Sequence, residues 1–149
     1  MIKKKYKKLD YSTEDLESLS SSDLQKIADH SLRQYLLRIN VRDDGMYRCP
    51  LKMQWYQSNK MHVAHFHDRH RLNTRYSLDN CFLISEQSNM WEAQEPREGY
   101  KSKHHYEYEI WLRKKIGEEK FEDLLQESKK LVIFAKEDYI DIINNFRDE

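Results

Sequence analysis

Glycine and proline are scarce in this chain of 149 residues, with 3 and 2 copies. Sandwiches and barrels consume many turn residues, so the shortage argues for a helix-rich protein. Cysteine is as rare: Cys49 and Cys81 form no C-x-x-C pair, which leaves no disulfide framework and no self-evident thiolate zinc site. No apolar run approaches the roughly 18 residues of a membrane span. Met1-Ile2 followed by lysines lacks the apolar middle of a secretory signal, so the expectation is a cytoplasmic protein with no membrane partner. Net charge is also missing, since 26 basic and 26 acidic residues give +0, and any attraction to phosphate must be local.

What is present is 35% charged and 38% hydrophobic sequence, of a length that suits one domain, 1–149. Residues 1–21 read as a basic arm, Lys3 to Lys8 around Tyr6, with a short helix starting at Ser12 or Thr13. The arm either touches phosphate or is a solubilising terminus. Ser21-Ser22-Asp23 offers a cap for a helix over 22–40, whose Leu24, Ile27, Leu32 and Leu36, at steps of three, five and four, fall on one helical face. Arg42-Asp43-Asp44-Gly45 reads as a turn into extended structure.

Lys60–Phe66 suits a short strand and Ser77–Asn80 a turn. Cys81–Ile84 suits a second strand, and Ser85 caps a helix of two to three turns. Region 46–93 thus runs strand, loop, strand, helix. Helices fill 104–149: Tyr106–Ile116, a break at Gly117, Glu118–Lys130, and a last helix from about Lys136. Gln94–Ser102 is the loosest loop. The fold class expected is α+β, mainly helical.

Four of the seven histidines, His62, His65, His67 and His70, fall within nine residues, beside Asp68, Arg69, Arg71 and Arg75. Imidazole titrates near neutrality and binds divalent metals, and guanidinium forks match phosphate oxygens. The mixture suits metal-assisted phosphodiester cleavage; a basic surface loop is the competing explanation. On a strand His65 and His67 face one side and His62 the other, so the four cannot all ligate one ion.

The run from Met61 to Cys81, M-H-V-A-H-F-H-D-R-H-R-L-N-T-R-Y-S-L-D-N-C, resembles the phage NinG/Rap recombination nucleases, an H-N-H family. Their pattern there is roughly A-G-H-(F/Y), an arginine-rich loop, T-R-(Y/W/F), and a turn ending in Asn. The likeness extends over roughly Leu24 to Glu149. It implies a small ββα-metal nuclease core flanked by an N-terminal helix and C-terminal helices.

It also implies a metal-dependent DNA endonuclease that is structure-selective or weakly sequence-specific and acts in phage recombination within the host cytoplasm. In that family His65 matches the general base and Asn80 the middle asparagine, while Asn89, His62 and Asp68 are candidate ligands for Mg²⁺ or Mn²⁺. Arg69, Arg71, Arg75, His67 and His70 are the candidate DNA contacts. The partner implied is DNA, including branched forms, and a homodimer would suit cutting two strands.

The chain departs from the family at the structural zinc. Where a typical member has two cysteine pairs, this chain reads Cys49, Lys52, Ser85 and Ser88, so structural zinc is not expected. Apolar packing by Met53, Trp55, Phe82, Ile84, Met90 and Trp91 is the expected substitute. Phe82 also stands where relatives often carry His. Two other classes compete: a catalytically inactive nuclease-derived module for DNA or protein binding, and a helical interaction protein with an incidental histidine cluster.

Overall fold

The computed structural model describes residues 12–91 and 103–148. They form a mixed α+β protein, mostly helical, with two small two-stranded antiparallel sheets. The lysine arm and the loop Gln94–Ser102 lie outside the described residues. The chain divides into two compact units, residues 1–39 with 133–149, and residues 40–132.

The first unit holds α1 (Thr13–Glu17), most of α2 (Ser21–Asn40) and α7 (Lys136–Asp148). Helix α1 opens with a capping box: the Asp15 N–H donates to Ser12 Oγ at 3.1 Å, and the Ser12 N–H to Asp15 Oδ2 at 3.2 Å. The cap of α2 falls one residue before the expected serines, because Ser20 Oγ accepts the Asp23 N–H at 3.1 Å. The predicted stripe is buried, with Leu24, Ile27, Leu32 and Leu36 inside. Helix α7 answers with Tyr139, Ile140, Ile143 and Phe146. Two polar bonds fix the register: Gln25 Nε2 donates to the Tyr139 hydroxyl at 3.1 Å, and Arg38 Nη2 to the Phe146 carbonyl at 2.8 Å.

The second unit begins with the expected turn. Gly45, at φ 81°, donates its N–H to the Arg42 carbonyl at 2.8 Å. Asp44 pairs with Arg42 and accepts the Met46 N–H at 3.1 Å. Strands β1 (Tyr47–Cys49) and β2 (Gln54–Tyr56) form a hairpin in which Tyr47 faces Tyr56. Its tip closes through the Met53 N–H on the Cys49 carbonyl at 2.8 Å, and Met53 takes φ 59°.

The second hairpin pairs β3 (Met61–His65) with β4 (Cys81–Ser85), from Met61 opposite Ser85 to His65 opposite Cys81. Its connection contains the one-turn helix α3 (Leu72–Arg75), and α4 (Glu86–Trp91) follows β4 directly. The predicted order of strand, loop, strand and helix is therefore present. Helices α5 (Lys103–Ile116) and α6 (Glu118–Ser128) flank a positive-φ break at Gly117. Phe66 joins them to the hairpin, its ring centroid 5.2 Å from that of Tyr108 and 5.5 Å from that of Phe121. Asn73 of α3 donates from Nδ2 to the Glu127 carbonyl at 3.0 Å, which ties the connection to α6.

Candidate active site

Asn80 organises the loop between β3 and β4. Its side chain is 0% exposed and spends every hydrogen bond on that loop. Oδ1 accepts the His67 N–H at 2.7 Å, and Nδ2 donates to the carbonyls of His67 and Thr74, each at 3.1 Å. The Asn80 carbonyl accepts the Phe66 N–H at 2.9 Å. A buried amide with both ends engaged fixes the backbone on either side of it, because each lost bond would leave an orphaned polar group.

His65 ends β3 and is half-buried. Its Nε2 lies 2.9 Å from the Arg75 carbonyl. A carbonyl oxygen only accepts, so Nε2 carries the proton and Nδ1 is the unprotonated nitrogen of the neutral ring. The same carbonyl accepts from Cys81 Sγ at 3.1 Å. Arg75 is central in a second way: its side chain is buried, and Nη1 donates to the Arg69 carbonyl at 3.0 Å, closing the loop on itself. Thr74 and Cys81 were passed over in the sequence although both are buried here; their positions flanking Arg75 and Asn80 were the available signal.

The expected phosphate contacts therefore divide. Arg69, His70 and Arg71 are exposed, whereas His67 and Arg75 are buried and belong to the framework of the loop. Of the expected metal ligands, Asp68 Oδ1 accepts the His70 N–H at 2.8 Å and lies 3.8 Å from His70 Nε2. His62 sits on β3 opposite Ile84. The side chain of Asn89 lies outside the described residues. Among the described residues no three His, Cys, Asp or Glu side chains gather.

Of the four positions where the resemblance would put zinc cysteines, Cys49, Ser85 and Ser88 come together, while Lys52 is exposed and reaches the Cys49 thiol only through its backbone. Cys49 is fully buried, and its thiol donates to Ser88 Oγ at 3.6 Å. Ser85 Oγ donates to Ser88 Oγ at 3.0 Å and caps α4 by accepting the Ser88 N–H at 3.2 Å. Burial works to raise the Cys49 thiol, but bonds from the backbone and hydroxyl of Ser85, from Ser88 and from the Lys52 backbone outweigh it and hold the thiol below its ordinary value. One thiol and two hydroxyls bonded to each other do not fit structural zinc. The expected apolar substitution is realised only in part: Phe82 and Ile84 are buried, but Met53 is 61% and Trp55 42% exposed. Trp55 instead lies under the Arg42 guanidinium, 3.6 Å from its ring centroid, and Met90 and Trp91 side chains are outside the described residues.

Comparison with protein-family models, with curated proteins and with solved structures returns no match.

Proposed function

We propose that this chain is a metal-dependent DNA endonuclease of the H-N-H type, built on a ββα-metal core, that hydrolyses phosphodiester bonds with weak sequence preference. The observation that carries the reading is the pairing of His65 with a loop locked by Asn80. The carbonyl of Arg75 fixes the tautomer and orientation of the imidazole, as a general base requires. His65 Nδ1 then takes the proton from the water that attacks phosphorus. Asn80 is a positioning residue, since its bonds all go to the loop. Exposed Arg69 and Arg71 hold backbone phosphates, which positions the strand without reading bases.

A bound Mg²⁺ or Mn²⁺ supplies charge stabilisation at the leaving oxygen. Asp68 and Asn89 are the residues proposed toward it; His62, three positions from His65 on β3, lies on the other face of the strand and does not fit that role, and structural zinc is not part of the reading. DNA within phage recombination, branched DNA included, follows from the resemblance to the NinG/Rap nucleases, as do the host cytoplasm and a homodimer.

Supercoiled plasmid and a synthetic four-way junction, incubated with Mg²⁺ or Mn²⁺ and with EDTA, test the proposal. Cutting that needs metal and is lost in His65→Ala supports it. Binding without cutting in both proteins would favour an inactive DNA-binding descendant, a reading to which the altered cysteine positions also point.

A further inference from the structure

Helix α6 ends at Ser128 and α7 begins at Lys136, and between them the run Leu131-Val132-Ile133-Phe134-Ala135 belongs to no helix or strand. Its exposure alternates: Leu131, Ile133 and Ala135 face solvent, the first two at 102% and 96%, while Val132 and Phe134 are half-buried. A period of two is that of a β-strand with one face covered. Phe134 fixes the covered side, its ring centroid 5.3 Å from that of the buried Tyr139. Among the described residues Leu131, Val132 and Ile133 make no hydrogen bond, so their backbone donors and acceptors stay open.

An apolar run of high strand propensity with open backbone groups is a template for pairing with another chain. Folded proteins guard such runs with a charge, a proline or a covering element, and residues 131–135 contain neither charge nor proline. The charges stand at the two ends instead. Lys129 precedes the run and Glu137 follows it, both exposed and neither in an ion pair among the described residues. An antiparallel copy of the same segment reverses that order. With Ile133 opposite its own counterpart, Val132 meets Phe134, Leu131 meets Ala135, and each Lys129 comes beside the Glu137 of the other copy. A parallel copy in register would set like charge beside like, which costs free energy. A second copy carries the complementary charges by construction, which no foreign strand need do.

We propose that residues 131–135 are the dimerisation strand of this chain, pairing antiparallel with the same segment of a second copy about a twofold axis at Ile133. The inference gives the homodimer a surface and stands on this segment, apart from the nuclease reading. Five residues a side bury less than the roughly 800 Å² per partner of a standard interface, so the dimer is weak and concentration-dependent, with a Kd on the order of 10 μM. The twofold axis makes every contact occur twice except the one at Ile133, which meets itself.

Sedimentation of the full chain between about 1 and 200 μM, a range that brackets such a Kd, should show reversible exchange between monomer and dimer. Ile133→Lys sets two ammonium groups against each other on the axis and should weaken the dimer about tenfold or more. Cross-linking reads the register. Ile133→Cys should form a disulfide between copies under mild oxidation, because opposed Cα atoms on antiparallel strands lie about 4.5–5.5 Å apart. Leu131→Cys, displaced from its counterpart by about 13 Å along the strands, should not. Cys49 and Cys81 are buried and do not compete. A monomer at every concentration, open-ended growth in place of a dimer, a dimer indifferent to Ile133→Lys, or equal cross-linking of the two cysteine variants would each overturn the proposal. Plasmid cutting by a strictly monomeric chain would remove the interface and leave the nuclease. A dimer that does not cut would do the reverse.

Discussion

Asn80 and His67 are bonded to each other twice, the His67 N–H to Asn80 Oδ1 at 2.7 Å and Asn80 Nδ2 to the His67 carbonyl at 3.1 Å. The pair brackets the loop that begins after His65, and the third bond of Asn80, to the Thr74 carbonyl, closes it from the other side.

Asn80→Ala should therefore remove more than a side chain. Three backbone groups would lose their partners in a dry environment, at a cost of about 3 kcal/mol. Denaturant unfolding measures this, and a loss under about 1 kcal/mol would show that water or loop movement satisfies those groups instead.

Tyr108 offers the opposite case. It is fully buried, and its hydroxyl has no hydrogen-bond partner among the described residues. Burial first, and the neighbouring Cys81 second, push its acidity far out of the physiological range, so the hydroxyl stays protonated. Tyr108→Phe keeps the ring contact with Phe66 and removes the orphan, so it should raise stability by about 1 kcal/mol. A destabilised variant would reveal a hidden bond at that oxygen.

The longer helices and the β3–β4 hairpin were legible in the sequence because apolar spacing and turn residues are local signals, whereas the one-turn helix α3 lay inside a stretch read as loop. The features that were not legible are those that break local rules or join distant parts. Met53 at φ 59° closes the first hairpin where glycine would be the usual cue, so β2 went unassigned. Arg75 reads as a surface cation, yet its guanidinium finds a carbonyl six residues away and is buried. Cys49 meets Ser88 across 39 positions, a meeting that only the resemblance, and no spacing within either segment, announces. The histidine cluster stood out at once, but its division into exposed His70 and buried His67 required the fold.

The cluster around Cys49 makes a prediction about metal removal. In the natural chain a zinc-selective chelator should leave the thermal midpoint unchanged. Joining Lys52→Cys, Ser85→Cys and Ser88→Cys to the existing Cys49 would place four thiols at these positions, and zinc should then raise the midpoint. Failure of the triple variant to bind zinc would mean that the four positions are not arranged tetrahedrally.

The entry to the first hairpin should hold its charge to unusually low pH. The side-chain bond from Arg42, helped by the Met46 N–H, lowers the Asp44 carboxyl from 3.8 to about 2. A depressed carboxylate stabilises the fold above its unfolded value of 3.8, and that contribution is lost as pH falls through about 2. Both groups are solvent-exposed, so the effect is small and salt-sensitive. Carboxyl carbon shifts followed from pH 6 to pH 1.5 (roughly the window that linkage defines) should show Asp44 titrating last of the exposed aspartates. An ordinary midpoint would dissolve the Arg42 pair in solution.

Strand β4 is buried at every residue from Cys81 to Ser85, whereas its partner β3 leaves His62, Val63 and His65 partly in contact with solvent. A strand with no wet face releases its amides to deuterium only when the whole unit opens. The pairing that sets His65 opposite Cys81 therefore persists through every local opening of the unit.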